Sequence, residues 1–207
     1  MKRIIPFVVA FSFALVMSTG AKAEDFHRKY RNFSWSDMTF RMDDGTKLRS
    51  NYGASFTSGR TYFVHSKPIA GLLKIGVDAT WVDLNYNNYT GKYPTSEGLS
   101  DYNLHRIEYS LQVGPSIAIN PVGKLNINAY FRYAPTFSVL LSNPDGVSAM
   151  GNYATMFVTG GMVSWGIIGV GAEYRFGDCS YNNFTGALQD FSAKTSGFRA
   201  YITLRFK

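Results

Sequence analysis

Gly197-Phe198-Arg199-Ala200-Tyr201-Ile202-Thr203-Leu204-Arg205-Phe206-Lys207 closes the chain, and its period-two pattern decides the fold. Phe198, Ala200, Ile202, Leu204 and Phe206 share one side; Arg199, Tyr201, Thr203 and Arg205 share the other. Successive side chains of a strand point to opposite faces of the sheet, so this strand has an apolar face and a basic one. A soluble exported β-sandwich would turn the basic face to water. A membrane barrel would turn the apolar face to lipid and the basic face to its lumen.

The opposite end of the chain favours the barrel. Met1 to Ala23 has the three parts of a secretory signal peptide: Lys2-Arg3, an apolar core from Ile4 to Met17, and Ala21-Lys22-Ala23 before Glu24. The apolar run falls short of the roughly 20 residues that a spanning helix needs. The expected mature chain, 24–207, is one domain, exported through a cleaved leader. The first cysteine is Cys179, so no lipidation signal follows the leader and no internal disulfide can form. Loss of the leader removes three cations and lowers the formal charge from +7 to +4. That excess is spread over alternating positions, not gathered in a stripe, so no nucleic-acid partner is expected.

Alternation recurs along the mature chain. Strands are predicted over Asn32 to Met42, Leu48 to Val64, Ala70 to Tyr86, Leu104 to Ile119, Leu125 to Phe137, Asn152 to Val163, Ile167 to Gly177 and the last stretch. The turns at Ser66, Asn120 and Ser164 are short. Long connections are predicted over Asn85 to Asn103, Ser142 to Gly151 and Asp178 to Thr195. Short turns on one side and long connections on the other mark an outer-membrane barrel with both chain ends on the periplasmic side. Each strand is long enough to cross a bilayer at a tilt, which takes roughly 9–11 residues. The predicted fold is all-β: an antiparallel up-and-down transmembrane β-barrel of about eight strands.

Gly59-Arg60-Thr61-Tyr62-Phe63, Lys67-Pro68-Ile69-Ala70-Gly71, Asp78-Ala79-Thr80-Trp81 and Tyr201-Ile202-Thr203-Leu204-Arg205-Phe206 carry a resemblance over the whole mature chain. The chain resembles the small outer-membrane β-barrels, particularly those of Bacteroides-type bacteria. The resemblance implies residence in the bacterial outer membrane, with outer-membrane lipid and the barrel assembly machinery as partners. It also implies a terminal aromatic assembly signal, here Phe206, displaced by one residue because Lys207 follows. It speaks to fold and location more than to activity.

The polar faces supply the candidate site. Lys74, Asp78, Arg106, Glu108, Arg132, Glu173, Arg175, Arg199 and Arg205 are all expected to point inward. An eight-stranded interior is just wide enough for side chains to fill, and buried charges must pair. A charge-plugged lumen follows; the alternative is a narrow pore lined by a selectivity ring. Tyr86-Asn87-Asn88-Tyr89-Thr90-Gly91 recurs as Tyr181-Asn182-Asn183-Phe184-Thr185-Gly186. Tyr86, Asn88, Tyr89, Tyr181, Asn183 and Phe184 are therefore candidate surface-loop residues for a glycan or an envelope protein, besides the plain reading as interface and turn residues.

Catalytic signals are sparse. Of His27, His65 and His105, only His105 sits where a lipid-modifying enzyme would place a catalyst, with Ser100, Asp101, Glu108 and Ser110 nearby in sequence. No motif holds these groups together. Asp178 and Asp190 lack the dense spacing of a calcium loop. With no metal cluster, phosphate loop or dinucleotide fingerprint in the sequence, no cofactor and no metal are expected. The expected role is non-enzymatic: envelope structure, adhesion or partner docking.

Overall fold

In a computed structural model of the chain, residues 26–95, 98–142, 148–183 and 191–207 are described. The predicted leader, Met1 to Ala23, lies outside them. Eight strands follow in order: β1 Lys29–Met42, β2 Lys47–Phe63, β3 Leu73–Thr95, β4 Gly98–Val122, β5 Leu125–Ser142, β6 Ser148–Trp165, β7 Ile168–Asn183 and β8 Phe191–Phe206. Each pairs antiparallel with the next, and β8 returns to β1 to close the barrel. The closing seam runs without interruption from Lys29 opposite Phe206 to Met42 opposite Ala193. Closure leaves no free sheet edge along the wall and pairs the backbone within the barrel, as a hydrocarbon surrounding requires.

The turns are built where their chemistry allows. Asp44 Oδ1 accepts a hydrogen bond from the Thr46 backbone N–H at 2.7 Å, and Gly45 takes φ 89° beside it. At the opposite end Gly123 and Gly166 take φ 48° and 61° in the tight turns between β4 and β5 and between β6 and β7. Phe26 and Lys207, the first and last described residues, share that end of the barrel with these turns, since the strand count is even.

Where they are described, the predicted long connections are strand. β3 and β4 remain paired up to Thr95 opposite Gly98, and β5 and β6 up to Ser142 opposite Ser148. β7 likewise runs on to Asn183. Polar side chains hold these extensions. Asn51 Nδ2 donates to Asn88 Oδ1 at 2.8 Å and to Thr90 Oγ1 at 2.7 Å, and Tyr86 and His105 bond at 2.8 Å. A ladder that leaves the apolar band loses its oily neighbours but keeps its backbone pairing, so Asn- and Tyr-rich sequence continues as strand. Beyond Tyr89 and before Leu104, among the described residues, β3 and β4 pair only with each other and project as a two-stranded finger.

Candidate functional site: the charged interior

The wall is apolar outside and polar inside, the reverse of a water-soluble fold. Phe33, Trp35, Trp81, Leu111, Phe131, Trp165, Phe198 and Ile202 are all exposed on the outer surface. Asn32, Ser34, Ser36 and Thr203 are buried within, as are the charged side chains that alternate with the outward apolar ones. Leu204 and Phe206 also point outward with Phe198 and Ile202. An exposed apolar band of this size has to be covered by something other than water.

Lys74, Asp78, Arg106, Glu108, Arg132, Glu173, Arg175, Arg199 and Arg205 are all buried in the interior. Six charges form one alternating chain. Arg106 meets Glu108 at 2.6 Å, Glu108 meets Arg175 at 3.4 Å, and Arg175 meets Asp83 at 3.5 Å. Asp83 then meets Arg199 at 2.9 Å, and Arg199 meets Glu173 at 3.1 Å. A second pair, Arg132 with Asp78 at 2.7 Å, joins the chain through Gln112, which accepts from Arg132 at 3.1 Å and donates to Asp83 at 2.6 Å. Tyr130 completes the link: its hydroxyl donates to Glu173 at 2.7 Å while its ring lies 3.5 Å from the Arg132 guanidinium.

These contacts reach across the barrel. Arg106 on β4 donates to Thr195 on β8 at 2.7 Å, and Arg175 on β7 donates to Ser110 on β4 at 2.9 Å. Side chains from opposite walls therefore meet on the axis. Lys74 and Arg205 sit below the ion pairs, facing aromatic rings: Lys74 Nζ is 4.9 Å from the Phe26 ring and Arg205 is 5.3 Å from the Tyr30 ring. Beside Arg205, a cavity of about 10 Å³ lies between Asn126, Asn128 and Ser164, room for roughly one water molecule.

Above the ion pairs the interior changes character. Met38, Phe40, Tyr89, Leu104, Met150, Met156, Cys179 and Tyr181 form an apolar cluster at the end away from the chain termini. Phe40 is its centre, with ring centroids 5.8 Å from both Tyr89 and Tyr181 and 6.3 Å from Phe191. The Arg106 guanidinium lies 5.4 Å from the Phe40 ring, so the uppermost cation is roofed by the cluster.

Two features of this interior depart from the sequence reading. Asp83, which holds two arginines, is absent from the predicted inward set. Simple alternation from Asp78 and Thr80 points it outward. A bulge in β3, marked by register shifts against both β2 and β4 around Trp81, reverses the parity, so that Asp83, Asn85 and Asn87 turn inward. The only advance signal is the carboxylate itself, which would be costly on a lipid face.

The candidate loop residues do not all lie on the surface. Tyr89 and Tyr181 are fully buried in the apolar cluster, and Asn88 is buried too, so none of the three is a surface contact. Tyr86 points outward on the wall and bonds to His105. The two copies of the repeated stretch are thus not equivalent: its first tyrosine faces out at Tyr86 and in at Tyr181. Phe184 and the Asn183 side chain lie outside the described residues. The histidines are placed as follows. His105 lies on the outer face of β4, whereas Glu108 and Ser110 are buried inside, so these three do not meet. His65 bonds to the Lys67 carbonyl at 2.6 Å and accepts from the Ile75 N–H at 3.2 Å, bracing its turn. His27 lines the small lower cavity.

Comparison with known proteins locates this architecture. No family model matches the chain, and no curated protein matches it. Among solved structures it is similar to Neisserial surface protein A, at a TM-score of 0.50 and 12% identity, covering 86% of this chain and 97% of that one. It is also similar to Ail, the attachment invasion locus protein of Yersinia pestis, at a TM-score of 0.47 and 11% identity, covering 86% and 100%. The fold of this chain is that of the small outer-membrane β-barrels: eight antiparallel strands in up-and-down order.

Proposed function

We propose that the mature chain, from Glu24 onward, is a non-enzymatic barrel of the bacterial outer membrane whose plugged interior sets its shape and whose outer rim does its work. The leader directs export, Phe206 serves the assembly machinery despite the trailing Lys207, and the apolar band meets lipid. The work at the rim is envelope structure, adhesion or the docking of a glycan or envelope protein. The barrel is of the kind made by Bacteroides-type bacteria.

One observation carries it: the interior is crossed from wall to wall by ion pairs and roofed by the Phe40 cluster. A pore needs sites weak enough for ions to leave and a continuous path between them. Arginines held between carboxylates, under an apolar roof, provide neither. Among the described residues, the finger formed by β3 and β4 extends beyond the strands that flank it. Its exposed side chains include Lys92, Leu99, Asp101 and Asn103. Planar-bilayer recording tests the proposal. Folded protein is expected to give no stepwise conductance; steady steps altered by Arg132→Gln or Arg199→Gln would establish the narrow pore instead.

A further inference from the structure

A groove of about 560 Å³ opens on the outer wall at the end carrying the chain termini, and its lining is cationic and aromatic. Lys29, Arg31 and Arg60 supply the charge; Tyr62, Trp81 and Phe206 supply the rings. Lys29 and Arg60 stand directly opposite each other on β1 and β2, a placement that destabilises a strand pair when the charges are alike. Among the described residues, no carboxylate lies within ion-pair distance of any of the three cations. The contrast is Arg49, an exposed arginine higher on the wall, which forks onto Asp37.

The groove has further signs of being built. Trp81 sits at the bulge in β3, where the register against β2 shifts between Ser58 and Gly59 and the wall bends. Arg31 is held over the Phe206 ring at 5.8 Å and Arg60 over Tyr62 at 5.2 Å. The Nε of Arg60 is shielded from solvent yet makes no hydrogen bond. Directly above the cations the wall is apolar: Phe33 pairs with Phe56 on one side and Ile202 on the other.

We propose that this groove binds the phosphate headgroup of an anionic phospholipid. Lys29, Arg31 and Arg60 hold the phosphate, and the acyl chains run along Phe33, Phe56 and Ile202. Three cations lining one groove, framed by amphipathic rings and continuous with an oily wall, match a group that joins negative charge to hydrocarbon. The inference rests on the reading of the chain as a membrane barrel.

The test uses Trp81 as its own reporter. Trp35→Phe and Trp165→Phe leave it as the single tryptophan, and the protein is reconstituted in phosphatidylcholine bilayers carrying brominated lipid. Brominated phosphatidylglycerol is expected to quench Trp81 with at least about five-fold preference over brominated phosphatidylcholine, the factor that one basic residue contributes at an anionic surface. Arg31→Gln with Arg60→Gln should bring that ratio to about one, and Lys29→Gln alone should lower it part way; a heat-dependent gel shift checks that each variant is folded. Equal quenching by both lipids in the parent, or an unchanged preference in the double variant, overturns the proposal. Competition by millimolar inorganic phosphate would mean a free-phosphate site and overturn the lipid assignment. Quenching by neither lipid would instead remove the membrane reading itself.

Discussion

Arg199 Nη1 on β8 lies 2.9 Å from Asp83 Oδ1 on β3, joining residues 116 positions apart across the barrel interior. Both side chains are fully buried, and Asp83 also faces Arg175 at 3.5 Å. One carboxylate therefore sits between two guanidiniums at the centre of the charged chain. Removing one member of a buried pair is far costlier than the pair is favourable, because the remaining charge has no water to return to.

Asp83→Asn should therefore lower stability by about 3–5 kcal/mol, measured as the shift in urea midpoint for the folded barrel in detergent. Combining it with Arg199→Gln should cost less than the two single changes together, since the pair is removed as a unit. Additive losses would mean that Asp83 and Arg199 do not depend on each other.

Phe40 holds the roof and is not part of the ion pairs. Phe40→Ala should destabilise the barrel by about 3–5 kcal/mol, because its ring fills the space between Tyr89, Tyr181 and Phe191. Conductance should stay absent, as the arginines below still meet across the axis. Channel steps in Phe40→Ala alone would show that the roof, and not the charge network, closes the lumen.

His105→Ala should leave the acylation pattern of outer-membrane lipids unchanged. The imidazole bonds to Tyr86 on the outer wall, Glu108 and Ser110 are turned to the interior, and Asp101 is exposed on the finger of β3 and β4. Mass spectrometry of lipids from cells with and without the substitution checks this. An acylated species lost with His105 would make the chain an enzyme.

The tip of the finger can be removed while Thr90, which meets Asn51, and Tyr102, which packs on the apolar cluster, stay in place. Gly91 and Tyr102 face each other in register, so an Asn-Gly turn joining them fits a two-residue hairpin. This variant should keep its heat-dependent gel shift and lose binding to whole-cell or matrix partners that the parent retains. Unchanged binding would move the docking surface elsewhere on the rim.

Much of the wall is legible in the sequence because lipid-facing and lumen-facing residues alternate with period two. Phe198 to Phe206 outward and Arg199 with Arg205 inward follow from that rule alone. It fails where the period breaks. Asp83 is inverted by the bulge at Trp81, which carries no local sequence mark. Tyr89 and Tyr181 look like interface or loop residues by type, yet the barrel continues past the membrane-sized segment and carries them inside. Met38 and Phe40 share the inward parity of Ser34 and Ser36, so the roof is a change of chemistry along one face that periodicity alone does not announce.

The proposed function requires that the outward apolar band close on itself and sit in lipid. Gel mobility of the detergent-extracted mature protein, with and without boiling, tests it most directly. A closed barrel stays compact unheated and should shift on boiling. Unchanged mobility, with the protein dissolving in plain buffer, would contradict the account.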